Sequence, residues 1–174
     1  MCDEERGGEE VKEKEVEKKE HSYLDVAEVL LNSIVGFTPN HTIKIRGRIG
    51  EQDVVVLIDS GATHNFISNK VVYRLGLCLT DTGSFGVVMG IEKVEKSRGI
   101  YKGLILLLPG VQVVEDFLPL DLESTYVILG MKWLQTLGEM KVNWKLLTMK
   151  FRVNVQLVVL WGDSNLSKTG VIRI

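Results

Sequence analysis

The run Val54-Val55-Val56-Leu57-Ile58-Asp59-Ser60-Gly61-Ala62-Thr63 is an apolar, β-like stretch that ends in an acid, a hydroxyl and a glycine. A carboxylate at the end of a buried strand is costly to ionise, so it needs either a partner or a task. From average composition, two apolar residues followed by Asp-Ser/Thr-Gly-Ala/Ser arise by chance in roughly one chain in a thousand of this length. The residues just upstream complete a hairpin. Thr42 to Ile49 alternates, with Ile43, Ile45 and Ile49 on one face and Lys44, Arg46 and Arg48 on the other. Gly50-Glu51-Gln52-Asp53 is the turn that leads into the Val54–Ile58 strand.

Outward from this hairpin the chain reads as short strands with turn punctuation. Phe66 to Leu75 has helical spacing, with Phe66, Ile67, Val71 and Leu75 apolar and Gly76 as the stop. Phe85 to Met89, Ile100 to Leu108 and Val111 to Leu118 are strand-like, the last two joined by Pro109-Gly110. Tyr126-Val127-Ile128-Leu129-Gly130 is a second apolar run closed by glycine, and an amphipathic turn follows from Met131 to Leu137. Met140 to Trp144 and Leu147 to Val153 form a hairpin, and Val155 to Trp161 adds a strand. Between Ser22 and Val35 the pattern fits helix or strand, with a lean to strand in its second half. Many short strands with one or two brief helices predict a mainly β domain.

Composition narrows the function classes. The 174 residues suit one domain plus a tail, and an apolar fraction of 45% is enough for a core. A net charge of −2 argues against a nucleic-acid binder that works by bulk positive charge. The first 20 residues hold nine acids and five bases and almost nothing apolar, which predicts a disordered or fraying-helix tail. The net acidity of that tail also argues against a nucleic-acid or membrane partner. Cys2 and Cys78 are far apart and form no metal-binding or disulfide pattern. No secretory leader opens the chain and no run is long enough to span a bilayer, so the expected setting is a reducing, cytoplasmic compartment.

Three readings of Asp59-Ser60-Gly61 compete. In a plain loop, Asp starts the turn and Gly supplies a positive φ. A serine hydrolase would need a G-x-S-x-G elbow, but position 58 is Ile. In an aspartic-protease loop Asp59 is the catalytic carboxylate and Ser60 reaches a symmetric partner loop, while Gly61 lets a backbone N–H approach the acid. The tetrapeptide Asp81-Thr82-Gly83-Ser84 repeats the pattern 22 residues on, but no apolar strand feeds it and the interval cannot hold a lobe; it reads as a surface turn. His21, His41 and His64 do not cluster, no metal or cofactor motif is present, and Trp133, Trp144 and Trp161 read as core or half-buried strand residues. The charges at 92 to 96 read as a solvated hairpin tip.

The stretch from about Ala27 to Lys168 resembles the aspartic protease domain of plant Ty3/Gypsy-type retrotransposon polyproteins, a retropepsin-like family. The resemblance is carried by Ile45-Arg46-Gly47-Arg48-Ile49-Gly50, by Val54 through Ser68 around Asp59-Ser60-Gly61-Ala62-Thr63, and by Phe85-Gly86-Val87-Val88. It continues through Val114 to Leu122, Val127-Ile128-Leu129-Gly130, Trp133 to Gly138, Asn143-Trp144-Lys145 and Leu147 to Phe151. It implies a retropepsin-like fold: a closed β-barrel half with one or two short helices. The domain would span residues 23–162, after a charged tail at 1–22 that looks like a linker from a capsid region. Residues 163–174 look like the start of a connection to reverse transcriptase.

The implied chemistry is hydrolysis of peptide bonds in a polyprotein by a homodimer, each chain giving Asp59 to a shared carboxylate pair. No metal or organic cofactor is needed. Ser60, Gly61, Ala62 and Thr63 would support the loop, and Ile128, Leu129 and Gly130 would brace it from below. Val88, Met89, Gly90 and Ile91 would belong to the substrate-covering flap, with Ile128 as a further pocket wall. The chain departs from the family at two hairpins. Gly90-Ile91-Glu92-Lys93-Val94-Glu95-Lys96 lacks the Asn-Gly usual at the flap tip, and Val153-Asn154-Val155-Gln156 stands where a Gly-Gly turn is common. No zinc knuckle, reverse transcriptase or integrase accompanies the domain, which suggests a stand-alone fragment or a derived cellular gene. The alternative is an inactive retropepsin-like module for dimerisation or peptide binding, or a decaying transposon remnant.

Overall fold

The computed structural model describes residues 27–29, 42–89, 93–122 and 126–166. The expected tail, His21 and His41, and the expected flap residues Gly90 and Ile91 lie outside the described residues. The helix-or-strand question over 22–35 is answered only at Ala27–Val29, which is strand β1.

The hairpin read from sequence forms. Strands β2 (Thr42–Ile49) and β3 (Gln52–Asp59) pair antiparallel from Ile49↔Gln52 to Thr42↔Asp59. The turn is tighter than expected: only Gly50 and Glu51 lie between the strands, and Gly50 takes φ 55°, a conformation that suits a two-residue hairpin. Alternation sends Val54, Val56 and Ile58 to one core, together with Ile43, Ile45 and Ile49. Val55, Leu57 and Asp59 face the other way. The polar face of β2 is not wholly a water face. Arg46 and Arg48 are exposed, but Lys44 is buried with its ammonium 5.9 Å from the Tyr126 ring centroid, and burial lowers its pKa.

The expected helix from Phe66 is corrected. Phe66–Ser68 is strand β4, and helix α1 runs only over Asn69–Leu75. Phe66 and Ile67 are fully buried in ladders with β7 (Val111–Leu120) and β8 (Tyr126–Leu129). Ser68 then caps the helix by accepting the Lys70 N–H at 3.2 Å. Gly76 ends it in the left-handed conformation at φ 59°.

Strands β5 (Thr80–Met89) and β6 (Lys93–Leu108) are both longer than the sequence suggests. Lys93 to Lys96 therefore sit in a strand rather than a hairpin tip, and Asp81-Thr82-Gly83 sits within β5 at an irregularity of its ladder rather than in a turn. The main sheet has the order β1-β5-β6-β2-β3-β8-β4-β7, and β6 also pairs with β7. The ladders thus run β6-β2-β3-β8-β4-β7 and back to β6, the ring of pairings that a closed barrel requires. The fold is mainly β, with two short helices.

A helical turn, α2 (Met131–Leu134), and a 3₁₀ turn (Gln135–Leu137) lead to a three-stranded sheet of β9 (Met140–Asn143), β10 (Thr148–Val153) and β11 (Gln156–Trp161). The Val153–Gln156 hairpin closes without a glycine because Asn154 takes φ 55°, which asparagine tolerates. Trp133 is buried edge-on against Phe151, with ring centroids 5.9 Å apart. Trp144 and Trp161 differ from expectation: both are exposed, Trp161 at 64%. Beyond β11, the Asp163 N–H donates to the Lys44 carbonyl at 2.8 Å and its carboxylate pairs with Arg46, which ties this end of the chain to β2.

Candidate active site

Asp59 is the last residue of β3, and its side chain lies on the Leu57 face. That face packs a second, smaller core of Leu57, Ala62, Phe66, Val87, Met89, Leu120, Leu122 and Ile128. Asp59 is 1% exposed. Its carboxylate is held on one side only: the Gly61 N–H donates to Oδ1 at 2.8 Å, while Oδ2 is buried with no protein hydrogen bond among the described residues. The Ala62 N–H donates to the Asp59 carbonyl at 3.2 Å, so Asp59 to Ala62 forms one tight turn. Ser60, at its apex, is exposed. Thr63 is half-buried, with its hydroxyl 2.9 Å from His64 Nδ1.

The loop is held from behind by backbone. β8 lies between β3 and β4, parallel to the first (Leu57↔Ile128, Ile58↔Leu129) and antiparallel to the second (Phe66↔Ile128). Ile128 and Leu129 are both fully buried, one in each core. The next residue, Gly130, passes directly under the loop. A Cβ there would lie 2.2 Å from the His64 carbonyl oxygen and 2.5 Å from that of Ala62. The Met131 N–H donates to the Ala62 carbonyl at 2.8 Å.

Asn65 is a residue whose role the sequence did not disclose. It is 2% exposed, and its Oδ1 accepts the Gly130 N–H at 3.0 Å. Its Nδ2 donates to the Asp116 carbonyl at 3.4 Å and its own carbonyl accepts the Leu118 N–H at 2.9 Å. One amide side chain therefore joins the Asp59 loop, β7 and the turn after β8. The only available signal was a polar residue directly before an apolar pair, which does not distinguish an anchor from a surface loop.

On the flap side, Met89 packs with Ala62 and Leu57, but Val88 does not. In the uninterrupted β5–β6 register from Ser84 to Met89, Val88 points to the opposite face and is half-buried. The residue that joins Met89 in the smaller core is Val87, one place earlier. Ile128, expected as a pocket wall, is 0% exposed in the smaller core and lines no open surface. Beside the loop a groove of about 440 Å³ opens between His64, Asn65, Phe85, Glu115, Leu118 and Lys132. Burial there, with the Asp116 charge adding to it, pushes the Glu115 carboxyl up.

Asp81 makes the same local contact as Asp59: its Oδ1 accepts the Gly83 N–H at 3.0 Å. Its surroundings are opposite. Asp81 is exposed and Arg98 grips it with two N–H groups, Nε at 3.0 Å from Oδ1. The hydrogen bond from Arg98 is the main reason its pKa is lowered. A lowered acid stabilises the fold above its unfolded pKa, and the contribution is lost as pH falls through the folded value. Asp81→Asn is therefore expected to leave neutral-pH peptide cleavage unchanged and to slightly reduce stability there, with no loss at low pH. Melting curves at two pH values beside the cleavage assay check this.

Among the described residues no group of three His, Cys, Asp or Glu side chains could hold a metal, and no helix is long and apolar enough to cross a membrane.

A family model described as retroviral aspartyl protease matches residues 40–154. Among solved structures, the retroviral protease-like domain of Ddi1 from Leishmania major aligns at 17% identity and a TM-score of 0.50, covering 68% of this chain and 90% of that chain. A retropepsin-like aspartic protease from Rickettsia conorii aligns at 16% identity and a TM-score of 0.41, covering 59% of this chain and 75% of that one. The first of these likenesses is one of fold. No curated protein matches the chain.

Proposed function

The chain belongs to the retroviral aspartyl protease family, and on that premise we propose that it is an aspartic endopeptidase that works as a homodimer. The observation that carries this reading is the state of Asp59: buried, held at Oδ1 by the Gly61 N–H, and unpartnered at Oδ2. One chain offers one such acid, so two chains bring their Asp59 residues to a shared two-fold axis. Ser60 is exposed at the apex of the turn, and in the dimer its hydroxyl would reach the partner loop.

Across that axis one carboxylate serves as base and the other, carrying a proton, as acid. The ionised carboxylate takes a proton from water as its oxygen attacks the scissile carbonyl carbon. The protonated one gives its proton to the carbonyl oxygen. A proton then passes to the amide nitrogen, and the C–N bond breaks.

The substrate is an extended peptide, added as a strand between the loop and the flap. Val87 and Met89 are buried beside the loop and anchor the flap strand, and the groove at His64 and Asn65 takes a side chain. By resemblance the parent is a Ty3/Gypsy-type retrotransposon polyprotein of plant type, acting in the cytoplasm or in virus-like particles. The protease domain spans residues 23–162, between a charged linker (1–22) and a connecting segment (163–174).

A second reading, a non-catalytic module that binds peptide or dimerises, draws on the 1% exposure of Asp59 in the single chain. Incubating the full chain with a mixed peptide library from pH 4 to 7, with and without pepstatin, separates the two. Pepstatin-sensitive cleavage whose specific activity rises with protein concentration is expected. A dimer that cleaves nothing supports the module.

A further inference from the structure

Two side-chain oxygens are buried without a hydrogen-bond partner among the described residues: Asp59 Oδ2 and Thr42 Oγ1. They are not independent. Thr42 is the residue directly opposite Asp59 in the β2–β3 ladder. Residues so paired project from the same face of the sheet with their Cβ atoms about 5 Å apart. One oxygen belongs to an acceptor and the other to a hydroxyl that can donate, so they are chemically complementary. A buried polar group left unmade is costly, and native structures satisfy the great majority of such groups.

The neighbouring donors are otherwise engaged. The Gly61 N–H is spent on Oδ1, and Thr63 meets His64. Lys44, two residues along the same face of β2, lies against the Tyr126 ring. Ser60 is at the exposed apex of the turn.

We propose that Thr42 is a positioning residue of the candidate active site: its hydroxyl donates to Asp59 Oδ2, directly or through one bridging water. The carboxylate is then oriented from both sides, by the Gly61 N–H at Oδ1 and by Thr42 at Oδ2. Neither oxygen needs a side chain from the flap or from the loop itself. The proposal deepens the shared-aspartate reading and rests on it for its catalytic consequence, but the Thr42–Asp59 link can be tested without activity.

Thr42→Val keeps the shape and removes the hydroxyl, while Thr42→Ser keeps the hydroxyl. A hydroxyl that is bonded lowers stability when removed, whereas a truly orphaned one raises it. Urea unfolding of the full chain is expected to show Thr42→Val lowering the folding constant by about tenfold, with Thr42→Ser close to wild type. In an Asp59→Ala background the Thr42→Val loss should vanish. In the cleavage assay, Thr42→Val is expected to lower kcat by about tenfold with KM changed less than twofold, and Thr42→Ser restores it.

A Thr42→Val protein as stable as wild type or more so overturns the link, as does a loss that persists undiminished in Asp59→Ala. If Asp59→Ala does not fold, the contrast between Val and Ser in the otherwise wild-type chain decides the matter. If the wild type cleaves nothing, the protease reading fails, and the unfolding cycle still decides the pairing.

Discussion

Asp59→Asn is expected to abolish peptide cleavage, by at least about a thousandfold, in a protein that folds as well as wild type. The substitution is nearly isosteric and the site tells which way the amide must lie. Gly61 presents an N–H to Oδ1 at 2.8 Å, so the Asn carbonyl oxygen takes that position. The NH₂ group then stands where Oδ2 stood, opposite Thr42, whose hydroxyl oxygen can accept from it in place of donating. The turn closed by the Ala62 N–H on the Asp59 carbonyl uses backbone alone and survives. Stability should therefore stay within about 1 kcal/mol of wild type, or rise because a buried charge is gone. Proton transfer is what disappears, since a carboxamide neither takes a proton from water nor gives one to the substrate oxygen. Cleavage rates and urea unfolding on the same preparation check both halves. Retained cleavage would remove Asp59 from the chemistry.

The proposed dimer makes a sharper form of the same prediction. If both chains contribute Asp59 to one site, a mixed dimer with one Asn has no complete pair. After full exchange of equal amounts of wild type and Asp59→Asn, about one quarter of dimers retain two aspartates, so activity falls to about a quarter of the all-wild-type value at equal total protein. If each chain works alone, about half remains. The curve of activity against wild-type fraction is thus a parabola for a shared site and a line for separate ones.

The features of this site that were legible in sequence are those written in local pattern. The β2–β3 hairpin joins neighbours in sequence across a turn that contains Gly50, and an alternating strand meets a continuous apolar one, so its pairing could be read directly. The Asp59 loop stood out because an acid after five apolar residues conflicts with its surroundings. What escaped depends on distant contacts. Phe66, Ile67, Val71 and Leu75 satisfy helical spacing, yet β7 and β8 draw the first two into strand β4. Asp59 and Asp81 share a tetrapeptide pattern and the same contact to the second residue on; in the structure, burial sets Asp59 apart and the Arg98 clamp sets Asp81 apart. Val87 and Val88 are the same residue type, and a one-place difference in phase decides which faces the loop. Asn65 and Thr42 carry no pattern, because their importance lies in what the ladders set opposite them.

Gly130→Ala is expected to be the most damaging single methyl that can be added near the site. The strain is not one of dihedral angles: Gly130 has φ −100° and ψ −160°, extended backbone that alanine adopts freely. It is one of space. The added carbon would sit 2.2 Å from the His64 carbonyl oxygen and 2.5 Å from that of Ala62, and both atoms are backbone. Neither can swing aside as a side chain would. Relief requires either the loop or β8 to move, and each is tied down: Ala62 by the Met131 N–H, Gly130 by Asn65, and β8 by ladders on both sides.

We expect a loss of about 4 kcal/mol or more, seen as a fall in the urea midpoint or failure to fold. Gly138→Ala is the control with the opposite balance. Gly138 has φ 66° and ψ −132°, backbone that strains any Cβ, but open space around its Cβ direction, and should cost about 1–3 kcal/mol. If folded Gly130→Ala protein is recovered, its cleavage should be reduced by at least about a hundredfold, because Ala62 lies three residues from Asp59 and a shift of 1 Å there misplaces the carboxylate. Equal losses in the two glycine variants would mean that the contact under the loop does not hold it. A loss confined to Gly130 would place the rigidity of the carboxylate in β8, on the side of the loop away from the substrate.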